Sequence, residues 1–554
     1  MKPFLSTSIF RERCWTRLSA LQKIRLISKA AENYQHASPS KPVLSFEDAG
    51  LRPPLAQAVY TAFPNVKSPT EIQSTLISSV LEGKDIILQD ETGSGKSFGL
   101  ILALLNKPRM IFTDDPSADR ASDRPAITSL VLVPHRDLAF QMMHWIDLIA
   151  QASSDSPPSL ASIAQVLVRE GRRHITEGLP LIRNEPPHVL IATPASVVEV
   201  LREDPNAFRL TELSTVVLDE VDYMIETLPL NNNPRKQHIQ KMNKLQMHPG
   251  PARALLDGIY EARVKLNAKT RQALGDAPYH SPQLILSSAT IRRQLKHYFF
   301  SEKQLLNRDV VKIRRSVMRL HGQDELATGE HAIHSVISHH VVVASENGIV
   351  NIPSAVSAEE KHTHHRSIGT ELYRISVLFA IDGSIFTEFA MTPSQLNQNL
   401  LEAVAAVFAL DVPSVALLVI PPNASVHRAV YDLREIGVNA HGMDVLVQDR
   451  GRSYLLQAGG EKKADPKLLV CTTSSIRGID FPSLTHVFIL GFNALIAKDN
   501  WTLTLDTYIH LCGRVGRFKK PGKVITVVDE KDVSGIDKVL HTLDVTPVRL
   551  NLPA

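Results

Sequence analysis

The stretch LQDETGSGKSFG, which runs from Leu88 to Gly99, places a glycine-rich turn directly before a lysine and a serine. It meets the phosphate-loop pattern G-x-x-x-x-G-K-[ST], except that Asp90 stands at the first glycine. The backbone N–H groups of such a turn, together with the N-terminus of the helix that follows, form a cradle for anions. Lys96 can then reach the β and γ phosphates of a nucleotide, and the Ser97 hydroxyl can bind Mg²⁺. An isolated motif of this kind could also be a flexible turn. The surrounding sequence is therefore needed to distinguish a phosphate-binding loop from such a turn.

Short apolar and β-branched runs recur on both sides of this turn, with segments of helix length between them. They span residues 85–90, 129–134, 188–193, 214–220 and 283–290 in the first half, and 415–420, 467–473, 486–491 and 523–528 in the second. Continuous apolar strands that alternate with helices are typical of buried parallel sheets. The predicted fold class is therefore α/β, with two tandem domains that each contain a parallel sheet covered by helices on both faces.

We predict domain limits of 43–315 and 336–554, with a connection near 311–335, because recognisable strands become sparse between about 291 and 410. Residues 229–281 and 344–372 are predicted insertions, and the charged segment 113–125 is a predicted loop. The histidine-rich sequence HTHHR (362–366) could bind a metal, but a solvated loop is the favoured interpretation.

Polar residues follow several of the strands at their carboxyl ends, where ligands bind to open parallel sheets. The glycine turn, Asp219-Glu220 and the segment that ends at Thr290 should therefore share one edge of the first sheet. Asp219 suits the carboxylate that holds Mg²⁺ at a phosphoryl-transfer site, and Glu220 suits a residue that orients or activates water. The alternative to a catalytic role is that these two acids are surface residues or cap the N-terminus of a helix.

Composition limits the other functional classes. The chain has 554 residues and a net charge of +4, and no run is long and apolar enough to cross a membrane. Its three cysteines lie far apart without a CxxC pair, which argues against disulfides and zinc and favours a reducing intracellular compartment. Any binding of nucleic acid must use a local basic patch.

The first 42 residues hold eight Lys or Arg and only two acids, with apolar residues at near-helical spacing. This pattern is typical of a mitochondrial transit peptide, and a basic disordered tail is the alternative. We therefore expect a protein of the mitochondrial matrix.

The ordered set of motifs resembles a DEAD-box ATP-dependent RNA helicase of superfamily two, and it is similar to divergent fungal mitochondrial members. NVKSPTEIQ (65–73) looks like the Q motif, DETGSGKS (90–97) like motif I, DEVD (219–222) like the name motif, and HLCGRVGR (510–517) like motif VI. The resemblance covers almost all of residues 46–530 and implies two RecA-like domains. A first residue other than glycine is common in motif I of this family, which accounts for Asp90.

The resemblance also implies roles for individual residues. Lys96, Asp219, Glu220, Arg514 and Arg517 are implied to be catalytic, and Ser97 and Asp219 are implied to hold Mg²⁺. ATP is implied to contact Phe46, Gln73, Glu91, Thr92, Gly93, Ser94, Gly95, Lys96, Ser97 and Asp480. RNA is implied to contact Pro134, Arg136, Thr193, Pro194, Thr472 and Arg477. Asp222, Ser288 and Thr290 are implied to couple the two ligands.

Several motifs depart from the family pattern, mostly on the RNA side. His135 and Asp137 replace threonine and glutamate, Thr473 replaces an aspartate and Leu511 replaces an arginine. The residues implied to bind ATP and Mg²⁺ are all present. ATP hydrolysis is therefore a firmer expectation than standard duplex unwinding.

The resulting expectation is a monomeric, RNA-dependent ATPase of mitochondria that acts on ribosomal RNA during assembly of the large subunit, in contact with mitoribosome assembly intermediates. The basic segment 235–254 could add an RNA or ribosome contact, or it could be a solvated helical excursion. The main alternative is an assembly factor that binds RNA without hydrolysing ATP. A DNA helicase is disfavoured because the Q motif and the DEVD and SAT motifs resemble the RNA-acting branch.

Overall fold

The strands run mostly through the apolar segments that the sequence indicates. We describe them from a computed structural model that covers residues 45–112, 124–154, 159–169, 179–205, 207–208, 210, 213–228, 236–269, 281–306, 309–314, 337–346, 348–357, 394, 396–443, 466–473, 476, 479, 481, 484–491, 501–516 and 521–552. In chain order the strands are β1 (Ile86–Gln89), β2 (Ile111–Phe112), β3 (Arg124–Pro125), β4 (Ser129–Leu132), β5 (Ala164–Leu167), β6 (Val189–Ala192), β7 (Thr215–Asp219), β8 (Gln283–Ser288), β9 (Val311–Arg314), β10 (Ile337–Ser345), β11 (Gly348–Asn351), β12 (Val415–Ile420), β13 (Ala440–Gly442), β14 (Lys467–Thr472), β15 (Leu484–Leu490) and β16 (Gly522–Asp529).

Helices connect most of these strands. In chain order they are α1 (Pro53–Ala62), α2 (Glu71–Leu81), α3 (Lys96–Asn106), α4 (Arg136–Ser153), α5 (Leu160–Ile163), α6 (Leu179–Asn184), α7 (Pro194–Glu203), α8 (Val221–Met224), α9 (Lys236–Met247), α10 (Pro251–Lys269), α11 (Arg293–His297), α12 (Gln398–Asp411), α13 (Val426–Glu435), α14 (Trp501–Cys512) and α15 (Val533–Thr542). A π-helical turn, Tyr298–Glu302, follows α11, and a 3₁₀ turn, Glu530–Asp532, precedes α15.

The first sheet has seven parallel strands in the order β5-β6-β4-β7-β8-β1-β9. Successive side chains of a strand point to opposite faces, so one apolar run contributes to two cores. Leu88 packs with α3 and α4 on one face, whereas Ile87 packs with β4 and β8 residues on the other. This burial on both faces explains why the strands are apolar throughout.

The second sheet has seven strands in the order β11-β10-β16-β15-β12-β14-β13. Its strands are parallel except for β11, which pairs antiparallel with β10 at one edge. Leu417 and Leu418 are adjacent in β12 and enter separate cores on the two faces. The predicted α/β class with two helix-covered sheets is confirmed, and both sheets lie in one unit, Phe46–Ala554.

The structure adds strands that the sequence prediction did not include, namely β2, β3, β5, β9, β10, β11 and β13. The segment predicted as an insertion at 344–372 begins inside the β10–β11 hairpin, because Ala344 pairs with Ile349. The predicted insertion at 229–281 contains α9 and α10, and α10 buries Leu256 and Tyr260 against the first domain. The exact domain limits stay a prediction.

Residues 1–42, the HTHHR sequence and most of the predicted loop at 113–125 lie outside the described residues. Within the described part of the chain, no helix combines the length and the apolar character needed to cross a membrane.

Candidate active site

The glycine turn lies between β1 and α3, at the carboxyl edge of the first sheet. Gly93 and Gly95 have φ values of 83° and 86°, a region in which side chains other than glycine are strained. Gly95 is also the N-cap of α3, so the positive end of this helix dipole faces the turn. A Cβ atom at Gly95 would lie 2.4 Å from Nε2 of Gln73. Glycine is therefore required at position 95 because of its backbone conformation and because the Gln73 side chain leaves no room for a Cβ atom.

Gln73 ties the segment upstream of the turn to the turn itself. Its Oε1 accepts from the backbone N–H of Thr70 at 2.9 Å, and its Nε2 donates to the carbonyl of Gly95 at 3.1 Å. The Thr70 hydroxyl in turn accepts from the N–H of Gln73, which completes a capping box at the start of α2. The predicted adenine-reading residue thus also positions the phosphate loop.

Lys96 occupies the floor of the turn and is only 6% exposed. Its ammonium group donates to the carbonyls of Asp90 and Glu91 at 2.7 and 2.6 Å. Burial lowers the pKa of Lys96, against the opposing attraction of Glu220, Asp90 and Asp219. A lysine held by neutral carbonyls can exchange them for phosphate oxygens, which would compensate its charge better.

Asp219 ends β7 and lies next to the turn with 1% exposure. The Ser97 hydroxyl donates to its Oδ2 at 2.5 Å, whereas its Oδ1 makes no hydrogen bond of normal geometry with the described residues, although the Ser287 hydroxyl is near enough to favour the ionised carboxylate. Burial, followed by the charge of Glu220, raises the pKa of Asp219. A buried carboxylate oxygen without a partner beside a hydroxyl is a suitable oxygen ligand set for Mg²⁺.

Glu220 has left-handed backbone angles, φ 58° and ψ 47°, which are uncommon for a residue other than glycine. Its carboxylate is buried, and Oε2 lies 3.7 Å from Nδ1 of His510 without a hydrogen bond. The sharp change of direction after β7 therefore presents Glu220 toward α14 of the second domain.

Asp222 is the centre of a network that joins the two domains. Ser288 and Thr290 donate to its Oδ1 and Oδ2 at 2.6 and 2.7 Å. Nε2 of His510 lies 3.2 Å from the same Oδ2 and 3.5 Å from the Thr290 hydroxyl. The predicted coupling residues Asp222, Ser288 and Thr290 are therefore brought together, and His510 joins them from the second domain.

Arg514 follows α14 and is only 1% exposed. Its Nε donates to the carbonyl of His510 at 2.9 Å and its Nη1 to the carbonyl of Ile479 at 2.7 Å. Its charge contributes to lowering the pKa of Lys96, so the two cations lie near each other across the cleft. The preceding residue, Gly513, touches the turn, because a Cβ atom there would lie 1.5 Å from Oγ1 of Thr92.

Phe46 is placed differently from the other predicted nucleotide residues. Its side chain is fully buried, and its ring packs edge-on against Tyr60 at a centroid distance of 5.7 Å. A stacking contact with adenine would require this ring to leave the core. Glu91, Gly93 and Ser94 form part of the turn, and Gly93 is exposed, whereas Arg477, Asp480 and Arg517 lie outside the described residues.

The predicted RNA residues of the first domain also follow strands at the carboxyl edge. Pro134 and Arg136 come after β4, and Arg136 begins α4 at partial exposure, 3.9 Å from the Asp137 carboxylate. Thr193 is the N-cap of α7, and its hydroxyl lies 2.7 Å from that of Ser196, while Pro194 is buried as the first residue of the helix. Thr472 ends β14 and is partly buried.

The sequence prediction assigned no role to His510, Gly513, Arg292 or Asp506. One signal was available, because Asp506 and His510 are four residues apart and so share a face of α14. Their partners lie more than 200 residues away in the chain. No local pattern indicates such pairings.

The sequence and the fold of this chain are similar to those of known helicases. The sequence model of the family described as DEAD/DEAH box helicase matches residues 70–298, and that of the helicase conserved C-terminal domain matches residues 423–519. A Homo sapiens protein named probable ATP-dependent RNA helicase DDX28 is 36% identical over 187 residues, which are 33% of this chain and 31% of that protein. A Neurospora crassa protein named ATP-dependent RNA helicase cyt-19, mitochondrial, is 25% identical over 474 residues, which are 83% of this chain and 58% of that protein. The chain thus spans less than two thirds of either relative.

A solved structure described as the DEAD-box helicase Mss116 bound to ssRNA and UDP-BeF superposes with a TM-score of 0.56 at 15% identity. The superposition covers 93% of this chain and 82% of that one, and it confirms the tandem RecA-like fold. The matched family models, the fold and the motif order agree with one another. The chain belongs to the DEAD-box family of ATP-dependent RNA helicases.

Proposed function

We propose that this protein is an RNA-dependent ATPase that remodels RNA in mitochondria. The observation that carries the proposal is the continuous network from Glu220 and Asp222 to Ser288, Thr290 and His510. It connects the acids beside the phosphate loop to a helix of the second domain. Such a connection lets the relative position of the two domains control hydrolysis.

The nucleotide substrate is proposed to be ATP, with its phosphates on the turn at Gly93–Ser97. Mg²⁺ would be held by the Ser97 hydroxyl and the Asp219 carboxylate, and the unpartnered Asp219 Oδ1 fits this role. When bound, the ion neutralises charge that develops on the phosphate oxygens. Lys96 would exchange its two carbonyl partners for the β and γ phosphates.

Side chains of the protein are proposed to activate the attacking water and to stabilise the charge that develops during ATP hydrolysis. The Glu220 carboxylate orients or activates the attacking water, from the position that its left-handed backbone gives it. Arg514 supplies positive charge from the second domain, and Arg517 is proposed to do the same. Because Arg514 reaches the site only when the domains are in contact, hydrolysis depends on closure.

RNA is proposed to bind along the carboxyl edges of both sheets through its sugar-phosphate backbone, without sequence preference. Pro134, Arg136, Thr193 and Pro194 are the proposed contacts in the first domain, and Thr472 and Arg477 in the second. Closure on RNA would bend one strand and separate it from a partner strand.

Action in mitochondria is supported by the basic first 42 residues and by the Neurospora crassa relative, whose name describes it as mitochondrial. Location in the matrix, ribosomal RNA as the substrate, contact with ribosome assembly intermediates and a monomeric state are further parts of the proposal. Crosslinking the protein to RNA in isolated mitochondria and sequencing the bound fragments tests the substrate. Fragments without enrichment in ribosomal RNA would contradict it.

The activity is tested by ATP hydrolysis of the full chain with and without single-stranded RNA, beside Lys96→Ala and Glu220→Gln. We expect RNA to stimulate turnover in the wild type. Both variants should lose it, Lys96→Ala through weaker ATP binding and Glu220→Gln with ATP binding retained. Turnover at the wild-type rate in Glu220→Gln would contradict the proposed mechanism, and tight ATP binding without turnover in the wild type would favour an assembly factor that does not hydrolyse ATP.

A further inference from the structure

Arg292 and Asp506 form an ion pair between the two domains. Arg292 is the N-cap residue of α11, two residues after Thr290, and Asp506 lies in α14 of the second domain. Nε of Arg292 donates to Oδ2 of Asp506 at 2.5 Å, and Nη2 donates to Oδ1. A guanidinium that binds both oxygens of a carboxylate in this way is a strong and directional contact.

Asp506 is more deeply buried than Arg292, so its negative charge depends on the guanidinium for stabilisation. The Asp506 side chain is 6% exposed and that of Arg292 is 27% exposed. Burial raises the pKa of Asp506, while Arg292 opposes that rise. Of the other groups that face Asp506, Asp222 raises the pKa of Asp506 further and His510 lowers it. Without Arg292, a buried carboxylate would therefore face the like charge of Asp222.

The pair also lies one step from the catalytic network. Thr290 binds Asp222 and is separated from Arg292 by a single residue, Ile291, which is itself buried. Asp506 lies one helical turn before His510, which contacts the same Asp222 carboxylate. The position of the ion pair therefore helps to fix the segments that carry Thr290 and His510.

We propose that Arg292 and Asp506 are positioning residues that hold the two domains closed over the nucleotide, an inference that rests on the proposed function. When the domains separate, water can hydrate both charges. When they close, Asp506 is buried and Arg292 is the group that offsets its burial most strongly, so the closed arrangement is destabilised when the pair is broken. Neither residue needs to touch ATP or RNA to have this effect.

The test uses the full chain and compares Arg292→Gln, Asp506→Asn and the double variant with the wild type. The first measurement is the affinity for a labelled single-stranded RNA with and without ADP–beryllium fluoride, followed by fluorescence anisotropy. The second is the radius of gyration by small-angle X-ray scattering without ligands. Asp432→Asn is the matched control, because Arg428 and Asp432 form a pair 2.7 Å apart that is also largely buried but lies within one helix.

We expect Arg292→Gln to reduce the nucleotide-dependent RNA affinity by about tenfold or more, since it leaves a buried charge unpaired. Asp506→Asn should have a smaller effect, because the remaining Arg292 is partly exposed. The double variant should recover part of the loss of Arg292→Gln, because no unpaired charge remains. RNA affinity without nucleotide should be equal in all variants, and Arg292→Gln should have a larger radius of gyration.

A folded Arg292→Gln protein with wild-type nucleotide-dependent affinity and radius would overturn the proposal. If Arg292→Gln does not fold, Arg292→Lys is tested in its place. Lysine keeps the positive charge but cannot bind both carboxylate oxygens as arginine does, so this variant should lose part of the increase in RNA affinity that the nucleotide causes. Equal RNA affinity of the wild type with and without ADP–beryllium fluoride would refute the proposed function. In that case an expanded Arg292→Gln still supports the ion pair as a closing contact, and an unchanged radius refutes it as well.

Discussion

Two buried carboxylate oxygens at the end of β7, Oδ1 of Asp219 and Oε2 of Glu220, make no hydrogen bond with the described residues. Glu220 also adopts the left-handed backbone region, which costs about 1–3 kcal/mol for a residue of this type. Both features are unfavourable for the unliganded fold. They are consistent with a site whose polar atoms are completed by a nucleotide, an ion and water.

At this scale we predict that Gln73→Ala weakens ATP binding. The substitution removes the acceptor for the N–H of Thr70 and the donor to the Gly95 carbonyl. The start of α2 then loses about 1 kcal/mol of capping, and the phosphate loop loses its anchor. Titration of a fluorescent ATP analogue measures the change in affinity.

The matched control for Gln73→Ala is Asn397→Ala, because the Asn397 side chain caps α12 by accepting from the N–H of Asn399 at 3.0 Å. Both variants should lower thermal stability to a similar small extent. Equal ATP affinity in the two variants would show that Gln73 acts only as a helix cap.

Among the elements, α14 carries most of the contact from the second domain to the active site. Asp506 and His510 lie on one face of this helix, and Gly513 and Arg514 follow its C-terminus. Gly513 lies against Thr92 so closely that no side chain fits between them. The end of α14 therefore fixes how near the second domain can come to the phosphate loop.

We predict that Gly513→Ala lowers RNA-stimulated ATP hydrolysis by about ten- to a hundredfold, because the added methyl group displaces Arg514 from the cleft. Steady-state kinetics at saturating RNA give the magnitude. Gly258→Ala, in α10, is the control, since nothing lies within 4 Å of the Cβ position there and alanine suits a helix. Loss of activity in both variants, or in neither, would contradict this role of Gly513.

The sequence is informative about these elements where a local pattern determines them. Ser97 and Asp219 lie at the same edge of the first sheet because each comes at or after the carboxyl end of an apolar parallel strand, and that arrangement was predictable. The pairing of Arg292 with Asp506 was not, because it depends on how two separately folded sheets meet. The burial of Phe46 was also not predictable, since a ring upstream of the Q motif can equally pack into the core or face a ligand.

For the whole molecule, the second sheet buries two adjacent histidines in a region remote from the phosphate loop in sequence. His339 lies 3.0 Å from the hydroxyl of Tyr508, and Nδ1 of His340 lies 2.8 Å from the carbonyl of Val548. Burial lowers the pKa of both His339 and His340 to about 4, compared with roughly 6.5 for an exposed histidine. Both are therefore neutral in the folded protein near neutral pH.

We predict that the protein loses stability as the pH falls from about 6.5 to about 4. In this window the unfolded chain binds protons at His339 and His340 and the folded chain does not, so the free energy of unfolding rises with pH. The contribution is fully present above pH 6.5. The raised pKa values of Asp219 and Asp506 act in the opposite direction, whereas the lowered pKa values of His144 and His188 act in the same direction as those of His339 and His340.

Melting temperatures at pH 7.5 and 5.0 measure this dependence, and the double variant His339→Gln, His340→Gln should show a smaller difference between the two pH values. Replacing the exposed His248, which lies outside this cluster, is the control and should leave the difference unchanged. Equal pH dependence in the wild type and the double variant would show that other groups control acid unfolding.

The central claim is that RNA and ATP act together through contact between the two domains. The ratio of ATP turnover with and without single-stranded RNA, measured on the full wild-type chain, tests this claim most directly. The account predicts that RNA raises turnover and that Glu220→Gln abolishes the increase while ATP still binds. Turnover that is independent of RNA, at any RNA concentration, would contradict it.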